Sequence, residues 1–232
     1  MISLYSTYSR DKIFTGTKII EKPGGPLFFI ESALKDLNVN YNSFFGKTAS
    51  VEIKVQKNSE IGRMTTLPMI QKVLVTLPSQ FVVVSTMFNE WDMLSVDLLK
   101  NEVFVDIQGY VRDVKKMGKK KVWKEIEEYS NRIFCLKGTK EEMSYIPRDV
   151  FKDQKKRLLV ITNGEKGVKY YFKGKEHFEP VKRRIVTKDT IGVGDTFFGF
   201  LVGYLYMKRS LKFSIQNAIK KTETFLESKT KI

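Results

Sequence analysis

The sequence predicts an α/β protein, a mostly parallel central sheet flanked by helices. Two observations carry that expectation. FVVVS (81–85), VFVDI (103–107), IFCL (133–136) and LLVIT (158–162) are short apolar runs rich in valine and isoleucine, the composition of strands buried on both faces. Segments of helical spacing lie between and after them, and alternation of strand and helix argues a parallel sheet. At 232 residues the chain suits one sizeable domain with a real core.

Taken in order, ISLYSTYS (2–9) has a strand-like mixture of apolar and hydroxyl residues, and KIFTGTKII (12–20) reads as two extended pieces around Gly16. PGGP (23–26) is a turn, and LFFIESALKDLNV (27–39) has helical spacing through Leu27, Ile30, Leu34 and Leu37. FFGKTA (44–49) contains GKT, but the earlier glycine of a phosphate-binding loop falls on Tyr41, so a turn between strands is the better reading. SVEIKVQ (50–56) alternates as a strand with one wet face does. WDMLSVDLLKN (91–101), VWKEIEEYSNR (122–132) and EEMSYIP (141–147) are candidate helices, the last ended by Pro147. A long apolar run from Phe197 to Met207 and an amphipathic helix over SIQNAIKKTETFLES (214–228) close the chain.

Composition narrows the chemistry. Cys135 is the only cysteine and His177 the only histidine, so no Cys/His metal cluster and no histidine-based triad is expected. Cys135, inside RIFCL, reads as a buried thiol, and His177 as a loop or strand-edge residue. The formal charge of +15 attracts polyanions. Its lysines and arginines are dispersed, however, and the clusters at 115–121 and 152–157 read as solvated faces rather than a nucleic-acid groove. No apolar run is long enough for a membrane span, and the N-terminus lacks the pattern of a secretory signal, so a cytoplasmic protein is expected.

TKDTIGVGDTFFGF (187–200) carries the chemistry. A glycine turn opening a buried helix leaves unpaired N–H groups that, with the helix dipole, attract anions. Glycines at 192 and 194 let a phosphate approach the backbone. Asp195 beside that phosphate can take the proton of a substrate hydroxyl and so drive its attack on the terminal phosphoryl group of ATP, with the amides of Gly192, Val193 and Gly194 stabilising the transferred charge. The alternative is an aspartate that only caps the helix.

DTIGVGDTFFGF resembles the D-T-x-G-A-G-D signature of the ribokinase-like (PfkB) carbohydrate kinases, with Val193 where alanine is usual, and further matches fall in order along nearly the whole chain. The resemblance implies a three-layer sandwich in one domain, with a small β lid from about residues 12–22 and 47–66. It implies sugar-hydroxyl recognition by Asp11 and by the Gly24–Gly25 turn. It places Thr162, Gly164, Gly167 and Thr190 near the nucleotide, the first three in TNGEKG, and Glu142 near magnesium and phosphate. ATP and Mg²⁺ are the implied cofactors, and a homodimer through the lid is an implied assembly. VDIQGYVR (105–112) matches a D-x-Q-G segment at a strand end.

There are departures from the pattern. Thr139 replaces the asparagine of N-x-x-E, Ser6 and Thr7 stand where glycine often ends the first strand, and Phe29 replaces a sugar-binding asparagine. The last change argues against a ribose or fructose pocket, and the whole looks nearer a subgroup that includes inositol kinases. A nucleoside kinase, with Phe28, Phe29 or Phe44 stacking on a base, is the runner-up. A sugar- or nucleotide-binding sensor and a nucleic-acid-binding relative are the readings from other classes.

Overall fold

The computed structural model describes every residue except 16–17, 57–58, 67–69, 73–79, 94–101, 114–118, 188 and 231–232. The chain begins with β1 (Ile2–Ser6), then a β2 (Ser9–Thr15) and β3 (Lys18–Gly24) pair that runs straight into α1 (Gly25–Asp36). After β4 (Tyr41–Phe44) come β5 (Ala49–Gln56), β6 (Ser59–Met64) and the two-residue β7 (Gln71–Lys72). β8 (Phe81–Ser85), the two-residue β9 (Trp91–Asp92), β10 (Glu102–Asp106) and β11 (Ile133–Thr139) follow. α2 (Arg148–Gln154), β12 (Leu158–Thr162), the hairpin of β13 (Val168–Phe172) with β14 (Lys175–Glu179), α3 (Val193–Tyr206) and α4 (Leu211–Thr230) complete it.

Eight strands form the main sheet in the order β14-β13-β12-β11-β10-β8-β1-β4. The pairs from β4 to β12 are all parallel, and β13 and β14 add an antiparallel edge. The expected α/β class and mostly parallel sheet are observed. Because successive side chains of a strand leave on opposite faces, neighbours divide between two cores. Leu4, Val83, Phe104 and Cys135 join one that includes residues of α1, α3 and α4. Tyr5, Val84, Val105 and Leu136 join the other, with Trp123, Ile126, Tyr129 and Val150. Three layers result. Cys135 is fully buried and burial pushes its thiol far up, so it is packing rather than chemistry.

Two expected helices are shorter and tighter than the sequence suggests. Residues 122–132 form only 3₁₀ turns at Glu125–Glu128 and Ser130–Arg132, and 141–147 only one at Glu142–Tyr145. Trp123, Ile126 and Tyr129 are buried at a strict spacing of three, the repeat of a 3₁₀ helix rather than of an α-helix. Of the helix expected at 91–101, Trp91 and Asp92 form β9, and residues 94–101 lie outside the described residues. His177 sits in the edge strand β14, stacked on Tyr170.

A second sheet, ordered β3-β2-β5-β6, stands apart from the first. From it Ile13, Val51 and Ile53 form a small apolar cluster with Met87 and Ile191. Ile191 immediately precedes the glycine turn of α3, so this cluster ties the small sheet to the end of the molecule where that turn lies.

Candidate active site

The parallel strands end in a polar row. Ser6, Ser85, Asp106 and Lys137 are in register on β1, β8, β10 and β11, and all four are buried. An unpaired buried charge is costly, and here each is matched. Lys137 Nζ lies 2.5 Å from Asp106 Oδ2, Asp106 Oδ1 accepts the Gln108 N–H at 3.1 Å, and Ser6 Oγ donates to the Ser85 carbonyl at 2.7 Å. Burial works against the Lys137 ammonium, but Asp106, Asp195 and Glu142 outweigh it and hold its pKa above the usual lysine value.

Over this row opens the first turn of α3. Gly192 is the N-cap, with φ +76° and no side-chain cap bond, so Asp195 lies inside the first turn and the capping alternative for it is set aside. A Cβ on Gly192 would come within 2.4 Å of the Phe29 ring, and one on Gly194 within 3.1 Å of Lys137 Nζ. Glycine at 192 is therefore required twice, by the left-handed backbone and by the ring packed on it. The three turn amides expected to face an anion reduce to two. Val193 N–H already bonds the Thr190 carbonyl at 3.3 Å, because the tight turn folds that amide back, whereas no such bond is made by the Gly192 and Gly194 amides among the described residues.

Asp195 is 8 % exposed, and Ser85 Oγ lies 3.5 Å from its Oδ1. Burial, then repulsion from Asp106, pushes its pKa up to about 6, while Lys137 and Arg112 pull it down and Glu142 adds to the rise. Such a carboxylate is ionised at neutral pH yet basic enough to receive a proton from a bound hydroxyl.

Asp11 and the small sheet close the other side. Ser9 Oγ donates to Asp11 Oδ1 at 2.6 Å, and a Cβ on Gly24 would fall 1.9 Å from Asp11 Oδ2. Gly25, φ +81°, has the Thr7 carbonyl 2.5 Å from its Cβ position. Burial raises the Asp11 pKa against the opposing Ser9 bond and Lys22 charge. Asp11, Gly25, Phe29, Lys137, Gly192 and Asp195 line a single cleft of ≈ 330 Å³.

That cleft adjoins a second, of ≈ 580 Å³, through Thr139, Thr162, Thr190 and Gly194, which line both. Gly164 and Gly167 line the second, along with the apolar Val181, Ile185, Phe197 and Ile219. Both glycines have positive φ, at +53° and +124°, and both belong to the β12–β13 hairpin, so they are hairpin turn and cavity wall at once. Glu142 stands apart from these walls. Its carboxylate accepts the Thr139 N–H at 2.8 Å, and Thr139 Oγ1 accepts the Glu142 N–H at 3.2 Å. Its charge reaches the site only as a field on Asp195, Asp106 and Lys137.

Reasoning from motifs matched Asp106 as the acid of the D-x-Q-G segment without giving it a role, and passed over Lys137 and Arg112. Arg112 lines the cleft and donates to the Met87 carbonyl at 3.4 Å; with the Gln108 amide turned so that its oxygen faces the guanidinium, Gln108 accepts from Arg112 as well. The signal was present: a lysine ending the apolar strand IFCLK, and an acid and an arginine six apart in DIQGYVR, are misplaced as core and well placed beyond strand ends.

No protein-family model matches the chain, and no curated protein matches it significantly. Solved structures do match. A pyrophosphate-dependent kinase in the ribokinase family, complexed with a pyrophosphate analog and myo-inositol, superposes with a TM-score of 0.77 at 19 % identity over 96 % of this chain and 94 % of that one. The chain has the ribokinase fold. Ribokinase from Cryptococcus neoformans var. grubii serotype A in complex with ADP matches with a TM-score of 0.70 at 14 % identity, over 94 % and 91 % of the two chains. A Burkholderia thailandensis nucleoside kinase in complex with inosine matches with a TM-score of 0.70 at 13 % identity, over 96 % and 89 %. Within the ribokinase fold the cleft at Asp195 lies at the carboxyl end of the parallel sheet, where open α/β sheets bind ligands.

Proposed function

We propose that the chain is a kinase that transfers the terminal phosphoryl group of ATP to a hydroxyl of a small sugar or polyol. The observation that carries this reading is the buried Asp195, with a pKa of about 6, at a glycine-lined helix mouth that shares one cleft with Asp11. In the reaction the acceptor hydroxyl gives its proton to Asp195, its oxygen bonds to the γ-phosphorus, and the bond to the ADP oxygen breaks. Gly192 and Gly194 N–H groups, Lys137 and Arg112 face the phosphoryl charge as it moves. Asp11, held by Ser9 and backed by Gly24, accepts acceptor hydroxyls, with Gly25 beside it.

The second cleft suits the nucleotide, with Thr162, Gly164, Gly167 and Thr190 along the phosphates and ribose. Its apolar wall favours ATP over pyrophosphate, the donor of the first structural match, since pyrophosphate offers nothing to bury there. Asp106 pairs with Lys137 while Asp195 and Glu142 act on it through their charge, which leaves negative charge for a cation arriving with the donor to offset. Among the described residues no three acids or imidazoles converge to hold an ion; Mg²⁺ would enter bound mainly by phosphate oxygens. Glu142, at the N-x-x-E position, has its carboxylate on the Thr139 N–H and would act on such an ion through its charge, and the ion would supply charge neutralisation at the phosphates.

A polyol fits better than a nucleoside. Phe44 is stacked on Tyr5 at 4.6 Å, Phe29 is packed on the Gly192 turn, and Phe28 meets Tyr8 and Phe29 edge-on, so all three rings already have aromatic or backbone partners. The small sheet is read as a lid over the acceptor and as the surface for a homodimer, and the protein as cytoplasmic. Among the described residues no helix is long and apolar enough to cross a membrane. A panel of sugars, polyols and nucleosides incubated with Mg²⁺ and labelled ATP or pyrophosphate tests the reading. Transfer to a polyol from ATP is expected; transfer to none, with salt-sensitive nucleic-acid binding instead, would overturn it.

A further inference from the structure

The last turn of α4 reaches the glycine turn of α3 through one side chain. Lys229 is 10 % exposed, and its Nζ lies 2.8 Å from Asp189 Oδ1 and 2.6 Å from the Ile191 carbonyl oxygen. Phe225 and Phe29 stand on its other sides, with ring centroids 4.8 and 5.8 Å away. The ammonium is thus held by two oxygens and two aromatic rings, a cation site built within the chain.

What it holds is the segment that aims the proposed anion-binding amides. Asp189 Oδ1 also accepts the Ile191 N–H at 3.0 Å, so one carboxylate oxygen and one ammonium fix both sides of Ile191. In a trans peptide the carbonyl and the following N–H point in opposite directions. Lys229, by drawing the Ile191 carbonyl towards α4, therefore turns the Gly192 N–H away from it. Phe29, stacked on Gly192, restricts the same peptide from the other side. Asp189 Oδ2 meets Lys22 of β3 at 2.9 Å, so the carboxylate that receives Lys229 also receives the small sheet. Burial raises the Asp189 pKa, but its bonds to Lys229 and Lys22 outweigh this and leave it lowered.

We infer that Lys229 is a positioning residue whose ammonium serves as a resident cation, locking the Ile191–Gly192 peptide with its N–H set for the donor phosphate. The inference rests on the kinase reading for its catalytic consequence, but not for its binding consequence. A lysine does this without an ion from solution, and from a helix remote in sequence from the turn.

The test uses the full-length protein and the variants Lys229→Met and Lys229→Ala. Calorimetry measures binding of inorganic pyrophosphate, and steady-state kinetics measure kcat and both KM values on whichever acceptor the panel identifies. Expected are a loss of tenfold or more in pyrophosphate affinity and in kcat, an unchanged acceptor KM, and partial recovery of Lys229→Ala by methylammonium at millimolar concentration but not by tetramethylammonium, which cannot donate hydrogen bonds. Unchanged binding and turnover in both variants would overturn the inference. So would a loss that methylammonium does not relieve in a variant whose thermal unfolding is that of the wild type. Should both substitutions unfold the chain, Lys229→Arg decides the matter: its fork does not fit a two-oxygen point site, so wild-type pyrophosphate binding by that variant would overturn the inference and weakened binding supports it. Wild-type protein that binds pyrophosphate but phosphorylates no acceptor would sink the kinase reading alone, leaving Lys229 to the binding arm.

Discussion

The two ends of the cleft solve the same problem by different means. At the base end, Asp106, Lys137 and Asp195 are buried at strand ends and a helix mouth, and burial, then the field of their neighbours, raises the Asp195 pKa to about 6. At the acceptor end, Asp11 is carried on a small four-stranded sheet and located by contact, with Ser9 on one oxygen and Gly24 against the other. The ion pair beside it, Lys22–Asp189, is about one third exposed. Asp11 is buried as well, but the ion pair nearest it is partly exposed, so that end is tuned by sterics and weakly by charge, whereas at the first end the paired charges themselves are buried and expensive to disturb. Substitutions at the base end should therefore act on kcat, pH dependence and stability, and those at the acceptor end on acceptor KM.

The largest effect is expected from Asp195→Asn. Loss of a general base lowers kcat by about 10²- to 10⁴-fold, with nucleotide affinity nearly unchanged by equilibrium binding. The stability consequence has the opposite sign. Asp195 titrates near 6 in the folded chain against 3.8 in the reference state, so between these values the folded state holds more protons and stability falls as pH rises through the window. Removing the ionisable group removes that penalty, and the Asp195→Asn variant should be more stable than wild type by on the order of 1–3 kcal/mol at pH 7 but not at pH 3.5. In the wild type, kcat/KM should climb through an acid limb near pH 6. A limb near 4 would place the essential base elsewhere.

Lys137→Met comes next and probes the same end from its counter-charge. It strands Asp106 in the interior, a loss of about 3–5 kcal/mol for a broken buried pair, measurable by denaturant unfolding. Because Lys137 lowers the Asp195 pKa, the acid limb of kcat/KM should also move to higher pH. A variant with wild-type stability and an unmoved limb would show that the two charges are not coupled.

This contrast also explains what the sequence made legible. Strands such as FVVVS and LLVIT are apolar throughout because both their faces are covered, and the run of GVGDTFFGF exposes its turn and its buried helix together. Asp11, Gly25, Gly192 and Asp195, each named from a motif, line one cleft. Lys137, Arg112 and Lys229 escaped because their meaning depends on register and crossover: a lysine in IFCLK is informative only once β10 puts Asp106 beside it, and Lys229 meets Asp189 from a helix 40 residues away. The 122–132 segment misled because buried residues three apart satisfy a helical template while folding as 3₁₀ turns. Glu142 was found by motif, yet its carboxylate is engaged with the Thr139 N–H.

At the acceptor end, Gly24→Ala is the sharper test. Gly24 has φ −158°, extended backbone open to any residue, so the substitution carries no conformational strain and acts only through its methyl group. That group would sit 1.9 Å from Asp11 Oδ2 and must displace the carboxylate. A displacement of about 1 Å in a positioning group can cost on the order of 10²-fold, and acceptor kcat/KM should fall by about one to two decades, through KM, with donor KM and the pH 6 limb unchanged. An equal fall in both substrates' constants would mean the two ends are not separable.

The smallest effect belongs to Lys22→Ala. The pair it breaks is partly exposed, worth about 0–1 kcal/mol, and Asp189 keeps Lys229, so stability should shift by less than about 1 kcal/mol and acceptor KM by less than about tenfold. Salt supplies the same comparison without mutation. Exposed pairs are screened within a Debye length of about 3 Å at 1 M, so in high salt the wild type should approach Lys22→Ala in acceptor KM, while the Lys137–Asp106 pair, shielded from ions, holds the Asp195 limb in place. A limb that drifts with salt as far as KM does would mean that solvent reaches both ends alike, and the division of labour between buried field and surface contact would fail.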